Sequence, residues 1–339
     1  MGKKQLLWSF FVLMLIIISA CGEKSKEDIL KSLDNKAEDM SGYKAQAKMN
    51  LQTGEDVQSY QIDVWHKKKN LFRVQLENPD SDKGSQIILR NQDGVFVLTP
   101  ALNKSFKFQS DWPHNSSQPY LYSSLVSDVL EDTEASFKQT ENYYVFNTKT
   151  NYQSNKNLPY QEIYFHKDSL KPAMVKVFDK DYKELVEVQF TSFEFDPNFS
   201  EDDFDTNKNL SSSVGDVPAM AGENDSSLTV LYPLTMPEGT TLASQKEVEF
   251  EHGKRVILNY SGEKSFTIVQ ELYTSYPTSM TSPVSVKGEP VDLGFTVGAI
   301  TDKTIEWNEN NVRYYLASED LTKEEMIEVA SSLEGKSMK

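Results

Sequence analysis

From Tyr43 onward the chain alternates. Tyr43, Ala45, Ala47, Met49 and Leu51 are interleaved with Lys44, Gln46, Lys48, Asn50 and Gln52. A period of two puts every apolar side chain on one side of an extended strand, so this stretch is a strand with one wet and one dry face. The pattern repeats at Tyr60, Ile62 and Val64, at Phe72, Val74 and Leu76, and at Ile87 and Leu89, and Asp93-Gly94 supplies a hairpin turn before Val95–Thr99. Phe106 and Phe108 follow. After an interruption, strands resume at 137–140, 143–148, 160–166, 173–178 and 185–195, separated by turns at Glu141-Asn142 and 179–181. Half-buried strands joined by short turns form an antiparallel meander.

Helical spacing occurs at three places. Ile29, Leu33, Ala37 and Met40 make one apolar stripe, and Ser25 with Asp28 suits its N-terminus. Leu121, Leu125 and Val129 make a second stripe inside 119–130, between strands, with Pro119 where a first turn accepts proline. Thr322 with Glu325 forms a capping box, Leu321 and Met326 a staple, and Met326, Ala330 and Leu333 a third stripe. Between these, residues 207–225 turn to Asn, Ser, Gly, Pro and Asp, which is linker chemistry. Beyond it, strands are predicted at 248–250, 256–260, 266–272, 304–307 and 312–316. The expected fold class is α+β: an open antiparallel sheet with helices on one face, then a smaller α+β domain. The expected divisions are 1–20 leader, 21–24 tether, 25–206 first domain, 207–225 linker and 226–339 second domain.

Leu6 to Ile18 is apolar except for Ser9, follows Lys3 and Lys4, and ends in Ile18-Ser19-Ala20-Cys21. A basic start, a short apolar run and small residues before a cut make a secretory signal peptide; the run is shorter than the roughly 20 residues of a membrane span. The apolar residue, two small ones and then cysteine resemble the bacterial lipobox. That resemblance implies a diacylglyceryl group on Cys21, the chain's one cysteine, and cleavage before it. Each buried methylene contributes about 0.8 kcal/mol, so two acyl chains hold a protein to a membrane where one is marginal. The body beyond Gly22 is then lipid-anchored on the extracytoplasmic face of the cell membrane. Its charge is −16 over the whole chain and more negative by two once Lys3 and Lys4 leave with the leader. Such a surface repels phosphate backbones, which excludes nucleic acid as a partner, and the anchor must overcome repulsion from anionic headgroups.

No catalytic pattern is legible. His66, His114, His166 and His252 are scattered among turns and strand ends, without His-Glu-x-x-His spacing, a Gly-x-Ser-x-Gly elbow or a phosphate-cradling glycine loop. The acidic run 200–205 lacks the glycine and ligand alternation of a calcium loop and is expected to be a solvated bend. The expectation is a protein that is not an enzyme and uses no metal or cofactor.

Phe165-His166-Lys167-Asp168-Ser169-Leu170-Lys171-Pro172 resembles the strand, polar turn and proline of lipoprotein carriers of the LolA and LolB type and their RseB-like sensor relatives. The strands 174–178 and 186–190, then Phe193 and Phe204, follow as that family closes its sheet. Trp307, Tyr314-Tyr315-Leu316 and the Leu321–Glu325 helix start are similar to a C-terminal domain of unknown function found in Gram-positive membrane and sporulation proteins. Together they resemble the LolA-like sporulation and germination lipoproteins of endospore formers, of the YdcC kind. The resemblance implies an open half-barrel with helices on its concave face, enclosing an apolar cavity for acyl chains. On this chain the cavity is expected between Met49, Val64, Val74 and Leu89 of the sheet and Leu121, Leu125 and Val129 of the inserted helix. The ligand is then a lipid or an acylated lipoprotein; the other reading is a sensor or adaptor that contacts a membrane protein through its second domain. Cys21→Ala is expected to abolish incorporation of radiolabelled fatty acid, because the substrate thiol is gone; label retained by the variant overturns the assignment.

Overall fold

The computed structural model describes residues 24–53, 56–79, 85–100, 104–114, 117–152, 158–200, 202–211, 228–250, 253–273, 283–293, 296–309 and 312–334. The leader, Cys21 and residues 212–225 of the expected linker lie outside them. Two compact units are distinguished, 1–39 and 40–339. In the first, helix α1 (Lys26–Asp39) buries Ile29 and Leu33. Ser25 and Asp28 cap it reciprocally: the Asp28 amide donates to Ser25 Oγ at 3.1 Å and the Ser25 amide to Asp28 Oδ2 at 3.3 Å.

The second unit carries two sheets. Strands β1 (Gly42–Thr53), β2 (Asp56–Lys67), β3 (Leu71–Glu77), β4 (Gln86–Asn91), β5 (Gly94–Thr99) and β6 (Lys104–Phe108) run outward as a meander. Strands β7 (Ser136–Gln139), β8 (Tyr143–Lys149), β9 (Tyr160–His166), β10 (Pro172–Phe178) and β11 (Glu184–Phe195) run back, and β11 lies against β1. The order β6-β5-β4-β3-β2-β1-β11-β10-β9-β8-β7 puts the two consecutive strands β6 and β7 on opposite edges. Ten strand spacings at about 4.8 Å would separate them by about 48 Å on a flat sheet. The connecting segment crosses that span over one face of the sheet, and its helix α2 (Tyr122–Glu131) is seated on the way. This helix begins three residues after Pro119: Leu121 is its extended N-cap residue, and the proline sits in the preceding turn.

The opposite face is closed by the strap that leaves β11. Phe199 tilts onto Trp65, and Phe204 and Leu210 pack with Ile87, Leu89, Phe96 and Leu98. Leu210 belongs to helix α3 (Thr206–Ser211), so the expected linker begins with a helix, not a coil. Polar composition hides it because one apolar residue and one polar clasp hold it. Asn209 is buried and accepts from Arg73 Nε at 2.6 Å, while Arg73 also donates to Asp63 at 3.2 Å and Gln75 at 2.7 Å.

The second sheet is β12 (Thr241–Phe250), β13 (Gly253–Ser261), β14 (Phe266–Tyr273), β19 (Val312–Ala317), β18 (Thr304–Glu309), β17 (Val297–Ile300) and β16 (Glu289–Asp292), in that order across it. Its core contains Leu258, Ile268, Trp307, Leu316 and Met326. Helix α4 (Lys323–Ser331) shows the full capping box of Thr322 and Glu325 and buries Met326, Val329 and Ala330. Two differences from the sequence reading concern this half. Strands β16 and β17 are absent from that reading, since runs of three or four residues are too short to show a period. The short strand β15 (Val284–Val286) leaves its own half and pairs in parallel with β6, extending the first sheet to twelve strands. The halves are therefore joined by backbone hydrogen bonds as well as by chain connectivity.

Arg73→Ala leaves Asp63 and Asn209 without their buried partner and is expected to cost about 3 kcal/mol, read as a lowered urea midpoint with unchanged slope. A loss under about 0.5 kcal/mol would show that the strap does not depend on this clasp.

Candidate functional site

The site is the face of the first sheet crossed by the α2 segment, and the register says which residues own it. Met49 is opposite Tyr60, Ala45 opposite Val64, and Val64 opposite Val74, so Met49, Val64 and Val74 share one face. Val74 is opposite Ile88, whereas Leu89 is opposite Arg73. Leu89 therefore points to the other face, into the cluster under the strap, and Ile88 takes the place assigned to it. The cause is local: Ile87, Ile88 and Leu89 are all buried because β4 is covered on both faces, and an unbroken apolar run does not reveal its parity. Leu121, Leu125 and Val129 are likewise buried, at 0–1% exposure.

The crossing segment is fastened at three points. Trp112 meets Phe72 of β3 edge-on at 5.9 Å, and Arg90 donates to the Trp112 carbonyl. Over the middle of the sheet, the Tyr122 amide donates to Tyr43 Oη at 3.2 Å, and the Tyr122 ring packs against Phe193, Phe195 and Phe165. At the far end, Asp128 accepts from Ser117 Oγ and from Gln161 Nε2 of β9 at 2.7 Å, and Gln161 in turn accepts from Tyr152 Oη at 2.6 Å. Each bond satisfies a group that would otherwise be buried at full desolvation cost.

Two hydroxyls on this covered face break that rule, and Ser105 Oγ does so on the other. Tyr122 Oη and Thr148 Oγ1 are buried without a hydrogen-bond partner among the described residues. Both lie on the covered face, since Thr148 is opposite Gln161. An unmade bond of this kind costs about 1–3 kcal/mol.

Burial also sets the titrations. His66, stacked on Phe72 at 4.2 Å with Nδ1 3.1 Å from the Leu71 carbonyl, is pushed down to about 4 by desolvation. It is neutral at physiological pH and serves as packing. Asp128 is pushed up to about 6, first by burial, against the hydrogen bonds from Ser117 and Gln161 and with help from Glu131 and Asp132. These three carboxylates occupy or adjoin the last turn of α2, where the helix dipole also disfavours negative charge and no basic residue compensates. His166 lies beside Tyr143, and His252 falls outside the described residues. In the run 200–205, Asp203 accepts from Ser200, and Lys208 bridges Asp202 and Asp203.

Toward the β6 edge the same face meets the second sheet across a narrow cleft with about 30 Å³ of accessible space, room for about one water molecule. Its apolar walls are Val97, Phe106 and Phe108 of the first sheet, Val286 of β15, and Val297 and Trp307 of the second. Gln86 pins the junction, donating to Thr296 Oγ1 and accepting from the Val297 amide, both at 2.8 Å. Ser110 Oγ donates to Glu289. The sequence reading missed this cleft, because its two walls come from segments almost two hundred residues apart.

An open antiparallel sheet whose apolar face is crossed by a helix-bearing strap, beside a second α+β sheet, defines the class. Residues 3–204 match the family model described as sporulation protein YdcC-like. Sporulation protein YdcC of Bacillus subtilis (strain 168) is 50% identical over 328 residues, 97% of this chain and 96% of that protein. The chain belongs to the YdcC-like sporulation protein family. Among solved structures it is similar to a chain of the Pseudomonas aeruginosa MucA/MucB complex, at 15% identity over 90% of this chain and 98% of that one, with a TM-score of 0.32. A chain of the Clostridioides difficile CwlD amidase with the GerS lipoprotein matches at 20% identity over 51% and 97%, TM-score 0.31. A LolA superfamily protein from Nitrosomonas europaea matches at 10% identity over 55% and 99%, TM-score 0.29.

An acid whose folded pKa is raised stabilises the fold below its unfolded pKa and loses that contribution as pH rises through the folded value. For Asp128 that window runs from about 4 to just above 6. Asp128→Asn, neutral throughout, is therefore expected to gain on the wild type by about 2 kcal/mol between pH 4 and pH 7.5, measured by urea unfolding. Parallel curves would show a carboxyl that titrates normally.

Proposed function

We propose that this chain is a lipid-anchored, non-enzymatic protein of the extracytoplasmic membrane face that holds an apolar ligand on the covered face of its first sheet and supports sporulation or germination. The ligand class is a lipid or the acylated end of a lipoprotein. The observation that carries the reading is the pair of buried hydroxyls on the covered face, Tyr122 Oη and Thr148 Oγ1, without hydrogen-bond partners among the described residues. Such donors beside an apolar face suit a ligand whose ester or amide oxygens enter with its chains. The β6 edge is the rim of that face, where Phe106 and Val286 are only partly buried. No described helix is long and apolar enough to cross a membrane, so the membrane contact in this reading is the acyl group on Cys21.

A second reading, a sensor or adaptor that signals to a membrane protein, is favoured by one feature. β15, Gln86–Thr296 and Ser110–Glu289 tie the second sheet to the rim of the first, so a ligand that widens the rim must displace the second half. The two readings differ in whether ligand changes partner binding.

Full-length protein extracted from membranes is expected to carry acyl lipid detectable by mass spectrometry, and to bind a displaceable apolar fluorophore. Phe106→Gln is expected to weaken the fluorophore about tenfold with the melting temperature unchanged. A wild type that carries no lipid and binds no fluorophore ends the carrier reading.

A further inference from the structure

Among the described residues four strands form the edges of the two sheets, and three of them are blunt. β15 has three residues, β7 four, and β16 four including Pro290. Short edges and proline are common protection against pairing with another chain. The fourth edge, β12, is ten residues long, and all of them are exposed except Val248, which is half-buried. None of its residues belongs to the core of the second sheet, and its pairing with β13 holds it in place. Four of the seven large apolar side chains that stand exposed among the described residues, Leu234, Met236, Leu242 and Phe250, fall within 234–250. Apolar exposure gathered at the long outer edge of a sheet marks a surface that another chain covers.

The register shift between Leu242 and Ser244 leaves Ser244–Phe250 as the regular part of this edge. Gln245, Glu247 and Glu249 lie opposite Leu258, Val256 and Lys254, on the face that carries the core, and Lys254 bridges Glu247 at 2.7 Å. Lys246, Val248 and Phe250 lie on the other face, where Arg255 stands over the Phe250 ring. A second copy of the chain does not fit this pattern. Two-fold pairing of β12 with itself sets lysine on lysine when centred on Lys246, glutamate on glutamate when centred on Glu247, and Glu247 on Glu249 when centred on Val248. Like charges directly opposite are destabilising. Centred on Gln245, the pairing runs into the irregularity at Ala243. A segment with basic residues opposite Glu247 and Glu249 and apolar ones opposite Val248 and Phe250 is matched on both faces. We infer that the outer edge of β12 adds an extended segment of a protein partner in which basic and apolar residues alternate. Backbone hydrogen bonds supply its affinity and the two rows of side chains its selectivity. This rests on the adaptor reading, gives it a surface and a class of partner, and requires no lipid on the first sheet.

The test uses the full chain and three fluorescein-labelled peptides long enough to span Ser244–Phe250. One alternates lysine and valine, one is the same peptide N-methylated at every residue, and one alternates glutamate and valine. N-methylation keeps charge and side chains but removes the backbone donors. The lysine–valine peptide is expected to bind, read by fluorescence anisotropy, and to slow amide hydrogen exchange in 244–250. Its N-methylated form and the glutamate–valine peptide are expected to bind about tenfold more weakly or worse. Glu247→Lys combined with Glu249→Lys is expected to reverse the preference between the two charged peptides, with the melting temperature unchanged. Equal binding of the N-methylated peptide, an unchanged preference in the double variant, protection away from β12, or no binding by any peptide overturns the inference. So does protection of 244–250 that arises without peptide as protein concentration rises, which places a second copy on that edge. Each of these outcomes leaves lipid carriage, and an adaptor role through another surface, to the lipid and fluorophore measurements above.

Discussion

The structure depends on one pairing, that of β11 with β1. Strands β1 to β6 and β7 to β11 are separate meanders that local turns can build; only the register Tyr43 with Phe195 through Leu51 with Val186 makes them a single sheet. The geometry at this seam is tight. A Cβ at Gly42 would lie 2.2 Å from the His66 carbonyl oxygen, so glycine is required where β1 enters between its neighbours. The Ser41 amide and hydroxyl donate to Asp196 Oδ1 at 2.6 and 3.0 Å, and the Asp196 amide donates to the Gly42 carbonyl at 2.9 Å. A register shift between Gln46 and Ala47, where β11 carries the extra residue Thr191, then bends the seam with the twist. Because the seam puts β6 and β7 at opposite edges, the segment between them has to cross the sheet, and the candidate site is a consequence of that crossing.

What holds the crossing segment is a mixture of aromatic packing and a few buried polar bonds, and the two have different consequences. Trp112 on Phe72 and Tyr122 among Phe165, Phe193 and Phe195 are insensitive to pH. Asp128 is not, because its carboxylate is desolvated at a helix end already crowded with Glu131 and Asp132. The C-terminal half of α2 is thus the part of the cover whose attachment depends on protonation, while its N-terminal half is anchored to Tyr43. The orphan hydroxyls Tyr122 Oη and Thr148 Oγ1 lie under the same cover.

Much of the architecture was legible residue by residue. The alternations at 43–51, 60–64 and 72–76 mark strands, Ser25 with Asp28 and Thr322 with Glu325 mark helix starts, and the polar turns between strands stand where hairpins occur. These signals are local: a period, a cap or a turn is complete within a few residues. The misreadings have equally local causes. Pro119 marked a turn and not a first helical turn, the polar run after Asp205 contained a short helix secured by Leu210 and Asn209, and the parity of Leu89 was hidden by apolar neighbours on both sides. The strands β15, β16 and β17 were too short to carry any period.

The sequence by itself determined which residues are apolar on which strand and where most elements begin. Tertiary structure decided what those faces meet. The pairing of β11 with β1, the turn of Leu89 to the strap side, the clasp of Asp128 on Gln161 and the capture of β15 by β6 all join segments far apart in the chain. Side-chain periodicity records only the environment of one strand. Register between distant strands is settled by the joint burial of both, so the site at the sheet's covered face and its cleft appear only when the chain is folded.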